Sequence, residues 1–206
     1  MKIKLSNEEI EFCLEFSKKC AKNQQDIEFG QHDTKARSKS EIARDNLIGK
    51  LAEVAFASFL QKNYNITAQL DFEYYPRGVW DGQDVEINSW RIDVKGTRPG
   101  AEWLLVEWNK LNFRKKENRP SHVYVMAIVG WDRKNDIPNG EVELIGYAYL
   151  EQLNNNISGT YILRKGKKLP GKNVYLQADN YGIPFRLLKK DWSTLINKMQ
   201  SSSPSM

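Results

Sequence analysis

The stretch Asp84-Val85-Glu86-Ile87-Asn88-Ser89-Trp90-Arg91-Ile92-Asp93-Val94-Lys95-Gly96-Thr97 decides how the rest of the chain is read. Val85 and Ile87, then Trp90, Ile92 and Val94, fall on one face of an extended chain, while Asp84, Glu86, Arg91, Asp93 and Lys95 fall on the other. Such alternation predicts two half-buried strands. Asn88-Ser89 between them predicts a two-residue turn that pairs Ile87 with Trp90, Glu86 with Arg91, Val85 with Ile92 and Asp84 with Asp93. The last pair sets two carboxylates about 5 Å apart, which destabilises a sheet unless something compensates. A divalent cation held between them would do so, and Lys95 adds a third polar group beside Asp93. A solvated hairpin face with its charges partly paired is the plainer alternative.

A second strongly patterned segment lies upstream. From Leu47 to Leu60 nearly every position is apolar, so the helix expected over about Glu41 to Lys62 must be covered on several sides. Glu53 breaks the rule, and burying its carboxylate costs several kcal/mol unless it is paired or binds a cation. Gly49, four residues before it, is expected to let the helix pack closely. Pairing of Glu53 with a basic side chain at a core edge and a role at a metal site both remain open at this point.

With these residues in view, the chain resembles the PD-(D/E)XK nuclease superfamily, the restriction-endonuclease-like fold. In that family an Asp opens one strand of a hairpin and an acidic-x-Lys triplet lies on the next, as Asp84 and Asp93-Val94-Lys95 do here. Gln83 stands where the family pattern has proline. The segment from Gly49 to Phe56 is similar to the family's first helix, whose glutamate points at the metal site. The resemblance implies that Asp84 and Asp93 bind Mg2+, with Mn2+ able to substitute, that Glu53 assists, and that Lys95 positions the attacking water. Asp81, before Gly82, competes with Asp84 for the first ligand, although its position favours turn chemistry.

The remaining elements suit the α/β class: a mixed sheet of about five strands flanked by helices, with a basic C-terminal extension. Ser6 and Glu9 have capping-box spacing, so a helix should run to about Lys22, and residues 23 to 40 read as a polar loop. Residues 66 to 80 hold an expected edge strand. Trp103 to Trp108 has apolar residues on both faces and is expected inside the sheet. Val123 to Val129 reads as a buried central strand, Pro138-Asn139-Gly140 as a turn, Glu141 to Tyr147 as a returning strand, and Tyr181 to Phe185 as a turn before a helix over about 187 to 199. This order is similar to many phage and bacterial members of the family. Residues 1–40 are thus read as an N-terminal helix and loop, 41–200 as the nuclease-like domain and 201–206 as a serine-rich, disordered tail.

Composition adds a partner class. The net charge is +5, and it is uneven: residues 1–100 carry 15 basic and 16 acidic groups, residues 101–206 carry 16 and 10. A polyanionic partner or a solvated basic surface accounts for this. Arg114, Lys115 and Lys116 flank Phe113, and Arg164, Lys165, Lys167 and Lys168 lie in a run from 164 to 172 that has no acid. Each cation that neutralises a phosphate releases a counterion, so these seven residues are candidate DNA contacts.

Other chemistries find little support. His32 and His122 cannot form a zinc cluster, Cys13 and Cys20 have no Cys-x-x-Cys spacing, and no phosphate-binding glycine loop or nucleophile elbow occurs. Cys13 and Cys20 lie two helical turns apart, which excludes a bond between them and points to a reducing, cytoplasmic compartment. No segment approaches the roughly 20 apolar residues of a membrane span, and the N-terminus lacks the apolar core of a signal peptide. The expectation is a Mg2+-dependent DNA endonuclease, for which a homodimer fits by analogy because both strands of a duplex are commonly cut by two such sites. The alternative is an inactive nuclease-fold module that binds nucleic acid.

Overall fold

A computed structural model describes residues 1–23, 38–73, 84–111, 120–154 and 159–204. In chain order these form β1 (Lys2–Lys4), α1 (Asn7–Asn23), α2 (Lys39–Tyr64), β2 (Val85–Ile87), β3 (Trp90–Thr97), β4 (Trp103–Glu107), β5 (Val123–Asp132), β6 (Ile137–Tyr149), α3 (Leu150–Asn154), β7 (Tyr161–Leu163), β8 (Asn180–Pro184) and α4 (Trp192–Ser201). The strands make two sheets. Five of them lie in the order β1-β6-β5-β3-β2, with β3 and β5 parallel and the other pairs antiparallel. The other three lie in the order β4-β8-β7, all antiparallel. The protein is therefore α/β with a mixed five-stranded sheet, and among the described residues no helix is long and apolar enough to cross a membrane.

β5 explains the layering. Val123, Val125, Ala127 and Val129 pack with Ile92 and Val94 against α2 and α4 through Ala55, Phe56, Phe59, Leu195 and Ile196. Tyr124 and Met126, on the opposite face, pack against Leu104, Val106 and Ile183 of the second sheet. A strand covered on both sides reads as a continuous apolar run, as this one does.

Helix ends follow capping chemistry. The Ser6 amide donates to Glu9 at 2.7 Å and the Glu9 amide to Ser6 Oγ at 3.2 Å, the reciprocal box expected from their spacing. Ser38 and Glu41 form a second such box, which starts α2 at Lys39 rather than Glu41. Asn65, at φ 53°, stops it in the left-handed conformation.

The hairpin register is the expected one over three pairs, Val85 opposite Ile92, Glu86 opposite Arg91 and Ile87 opposite Trp90, whereas the fourth expected pair, Asp84 with Asp93, is not part of the ladder. Asn88 and Ser89 both take positive φ, 47° and 69°, as a hairpin turn with right-handed strand twist requires. The turn is tethered from outside. Asn88 Nδ2 donates to the Met199 carbonyl at 3.1 Å and Trp90 Nε1 to the Ser202 carbonyl at 2.7 Å, while Lys198 Nζ lies 5.3 Å from the Trp90 ring centre.

Several expectations are corrected. β4 is not inside the main sheet but at the edge of the second one, where Leu104 and Val106 are buried and Trp103 stacks edge-on against Tyr161. Its two apolar faces reflect an aromatic neighbour rather than a central position. Pro138, Asn139 and Gly140 lie within β6, and the chain turns earlier, at residues 133–136, where Asp136 takes φ 53°. Tyr181–Phe185 is mostly strand β8, and the last helix waits for the Asp191 cap, whose carboxylate accepts from the Thr194 amide at 3.0 Å. Residues 65–73 form no strand, and the rest of the expected edge strand lies outside the described residues.

Gly49 is also corrected. A Cβ there would meet nothing within 4 Å, whereas one at Gly96 would sit 2.5 Å from the Ile48 carbonyl oxygen and 3.0 Å from Ala52 Cβ. The close helix-to-strand approach is made by the glycine after the acidic-x-Lys triplet. Gly96→Ala should therefore cost about 1–3 kcal/mol through overpacking, whereas Gly49→Ala should gain about 0.5–1 kcal/mol from helix propensity. Urea unfolding reads both, and equal losses in the two variants would refute this assignment.

Candidate functional site

The candidate site forms where β2 leaves β3. Ladder pairing with β2 ends at Val85 and Ile92, so among the described residues β3 runs on from Asp93 beside β5 alone. The Asp84 amide still donates to the Ile92 carbonyl at 3.2 Å. Its side chain reaches further along β3, with Oδ2 accepting from the Val94 amide at 2.6 Å.

Asp93 and Lys95 project from the face of β3 whose neighbours on β5 are Tyr124 and Met126. Lys95 Nζ stands 2.5 Å from Asp93 Oδ1, and that oxygen is sealed from solvent. The lysine is the more exposed partner, at 27% against 16% for the aspartate side chain. Sequence spacing thus places Asp84, Asp93 and Lys95 together.

Glu53 comes from α2 and is buried. Lys50, one turn earlier, lies against it at 2.5 Å and also donates to the Asp71 carbonyl at 2.6 Å. The ammonium sits 5.0 and 4.9 Å from the ring centres of Phe16 and Phe72, so it is held in an aromatic seat. Of the two readings open for Glu53, the basic partner is thus present. The i,i+3 spacing of Lys50 and Glu53 was the signal that could have found it.

The fields of these groups converge on Asp84. Burial raises its carboxyl well above the usual carboxylate range, the charges of Asp93 and Glu53 raise it further, and Lys95 and the Val94 amide oppose them. Such a carboxylate is poorly compensated by the protein alone. As donors the three carboxylates are hard oxygens of the kind Mg2+ takes, and a cation beside Asp84 would favour its charged form. Among the described residues, however, no three His, Cys, Asp or Glu side chains are gathered to hold one metal ion. Lysines occupy the contacts beside Asp93 and Glu53.

Outside this cluster the predicted residues divide. Asp81, Arg114, Lys115 and Lys116 lie outside the described residues. Arg164 is spent on structure: it bonds Asp179 at 3.2 Å and stacks 4.6 Å from the Trp108 ring centre. The Lys165 amide donates to the same Asp179, holding that carboxyl below its usual range. Lys167 and Lys168 are exposed on a small finger in which the Leu176 amide bonds the Lys167 carbonyl, and Lys168 Nζ lies 5.4 Å from the Tyr175 ring centre.

The described histidine and the two cysteines lie outside this chemistry. His122 Nδ1 accepts from the Arg91 amide at 2.9 Å, and burial lowers its pKa, so it is a neutral structural histidine. Neither cysteine is in a disulfide, and burial pushes the Cys13 thiol up to about 12. Compared with family models, curated proteins and solved structures, the chain matches none.

Two stability experiments test this description. Lys50→Met leaves Glu53 buried beside an apolar chain and should cost about 3–5 kcal/mol, most of it recovered in the Lys50→Met/Glu53→Met double variant. No recovery would mean that the pair is not coupled. For Asp84, a folded pKa above the unfolded value favours the folded state fully below about pH 4, and that gain is lost as pH rises through the folded value. In chelator, Asp84→Asn should therefore raise Tm at neutral pH, with the advantage vanishing below about pH 4. A variant less stable than the parent at pH 7 would overturn the charge argument.

Proposed function

We propose that the chain is a metal-dependent DNA endonuclease that hydrolyses phosphodiester bonds. The observation that carries the reading is the meeting of Asp84 with the Asp93–Lys95 pair at the divergence of β2 and β3, with Asp84 held in a field that favours an added cation. Asp84 and Asp93 would hold Mg2+, or Mn2+ in its place, with Glu53 assisting. When bound, such an ion would supply charge neutralisation for the phosphoryl oxygens and a more acidic water. Lys95, the more exposed partner of its pair, orients the attacking water through Nζ and stabilises the charge that develops on the phosphate. Lys165, Lys167 and Lys168 give sequence-independent contacts to the phosphate backbone, while Arg164 stiffens the loop that presents them. A homodimer would supply two such sites to a duplex.

One observation favours a second reading. Asp93 and Glu53 already have lysine ammonium groups beside them, so part of the cluster is compensated without a metal. A nuclease-fold module that binds nucleic acid without cutting it would have the same charges.

Cleavage of plasmid, linear duplex, branched and single-stranded DNA separates the two. With Mg2+ or Mn2+ the parent should cut at least one of these, chelator should stop it, and Asp93→Asn and Lys95→Ala should each slow it by about 10²–10³. If nothing is cut in either metal while the parent and Asp93→Asn bind DNA equally, the binding module is the right reading.

A further inference from the structure

Beyond the carboxylate cluster, a cleft of about 690 Å³ opens at the end of β3. Its walls are the β3–β4 turn, the first half of α2, the β5–β6 turn and the finger of residues 164–176. The lining is mixed. Ile48, Leu169 and Trp131 supply apolar surface, Arg98 and Arg133 supply positive charge, and the charge of Lys172 is matched by Glu102 at 2.5 Å.

The acidic groups of the cleft are partly consumed. Asp136 accepts from Trp131 Nε1 at 2.9 Å and stands 3.6 Å from Arg44 and 3.8 Å from Arg98. The Arg98 guanidinium in turn lies 5.7 Å from the Trp131 ring centre. Trp131 itself is buried in the core, so the exposed Arg98 guanidinium is what gives the cleft a flat cationic surface of the kind on which a base can lie. Arg133 is exposed, joins no ion pair among the described residues, and reaches to 4.0 Å from where a Cβ of Gly100 would stand. It is the cation most available to a ligand.

Position matters as much as chemistry. Thr97, which lines the cleft, is two residues beyond Lys95 and on the same face of β3, roughly 7 Å along the strand. Stacked nucleotides advance about 3.4 Å each. A strand whose phosphate lay at Lys95 would bring a neighbour one or two nucleotides away into the cleft. The volume lies within the range of about 300–1,000 Å³ of pockets that enclose a small molecule. A duplex could fill it only by pulling a base out of its stack, at a cost of a few kcal/mol that an already single-stranded segment does not bear.

We propose that this cleft is a subsite for an unpaired nucleotide flanking the bond to be cut, so that the substrate is DNA with a single-stranded segment. The proposal rests on the nuclease reading for its catalytic partner, but the subsite binds DNA whether or not cutting follows. Arg133 takes the phosphate, the exposed Arg98 guanidinium takes the base, and the finger bearing Lys172 forms the outer wall.

Fluorescence anisotropy in chelator, on the Asp93→Asn protein, tests it with a labelled single strand, a blunt duplex and a duplex with an overhang. Arg133→Ala and Arg98→Lys should each weaken binding to the single strand and the overhang roughly tenfold and leave the blunt duplex nearly unchanged. Lys134→Ala, which removes a neighbouring charge outside the cleft, should change all three little. Equal losses on single strand and duplex, or the same losses in Lys134→Ala, would reduce the cleft to part of a general basic surface and overturn the proposal. Selective loss in a protein that cuts nothing would keep the subsite and refute the nuclease. Cutting by a protein whose cleft variants retain every preference would do the reverse.

Discussion

Everything in this molecule depends on how closely α2 lies on β3, and Gly96 sets that distance. A side chain there would press on the Ile48 carbonyl, a backbone atom in the middle of a 26-residue helix that cannot move alone. The contact fixes the helix that carries Glu53 and Lys50 against the strand that carries Asp93 and Lys95. It also brings the start of α2, with Asp45 and Ile48, to the wall of the cleft beyond Thr97. One missing methyl group thus positions the carboxylate from the helix relative to those from the hairpin.

The charge balance within that frame is uneven. Glu53 and Asp93 each face a lysine, but Asp84 is given an amide and the distant side of Lys95 while two carboxylates act on it. A protein selected only for stability would have little use for the third carboxylate, because apolar side chains of similar volume pack a sheet edge at lower cost. The imbalance is local, since Asp132 and Asp191, at turns and caps elsewhere, are held below the usual carboxylate range by hydrogen bonds from their own neighbours.

How much of this was legible in the sequence depended on the range of the interactions. The hairpin, its register, the first capping box and the buried strand β5 are matters of period and neighbouring residues, and they could be read directly. The second sheet could not, because β7 and β8 are short and the pairing of β8 with β4 is decided by contacts far apart in sequence. Gly49 and Gly96 show the same limit: both stand near a functional motif, and only the packing tells which one is crowded. The cluster of Asp84, Asp93 and Lys95 was legible from spacing, whereas Asp71, whose carbonyl anchors Lys50, had no local signal for that role. The cleft was invisible, since its walls come from four separate parts of the chain.

The second sheet also separates two kinds of order. Trp103 pairs with Pro184 and Glu107 with Asn180, so closing this sheet spans most of the second half of the chain, whereas β5 and β6 are joined by one short turn. Long closures cost more entropy and are made late. Sheet β4-β8-β7, whose last two strands are joined through the finger, thus rests on pairing between segments far apart in sequence. It covers Tyr124 and Met126, while the hairpin keeps its own tethers to Met199 and Ser202. The hairpin and the outer wall of the cleft thus belong to different parts of the fold, the one held by pairing between neighbours in sequence and the other by pairing between segments far apart in it.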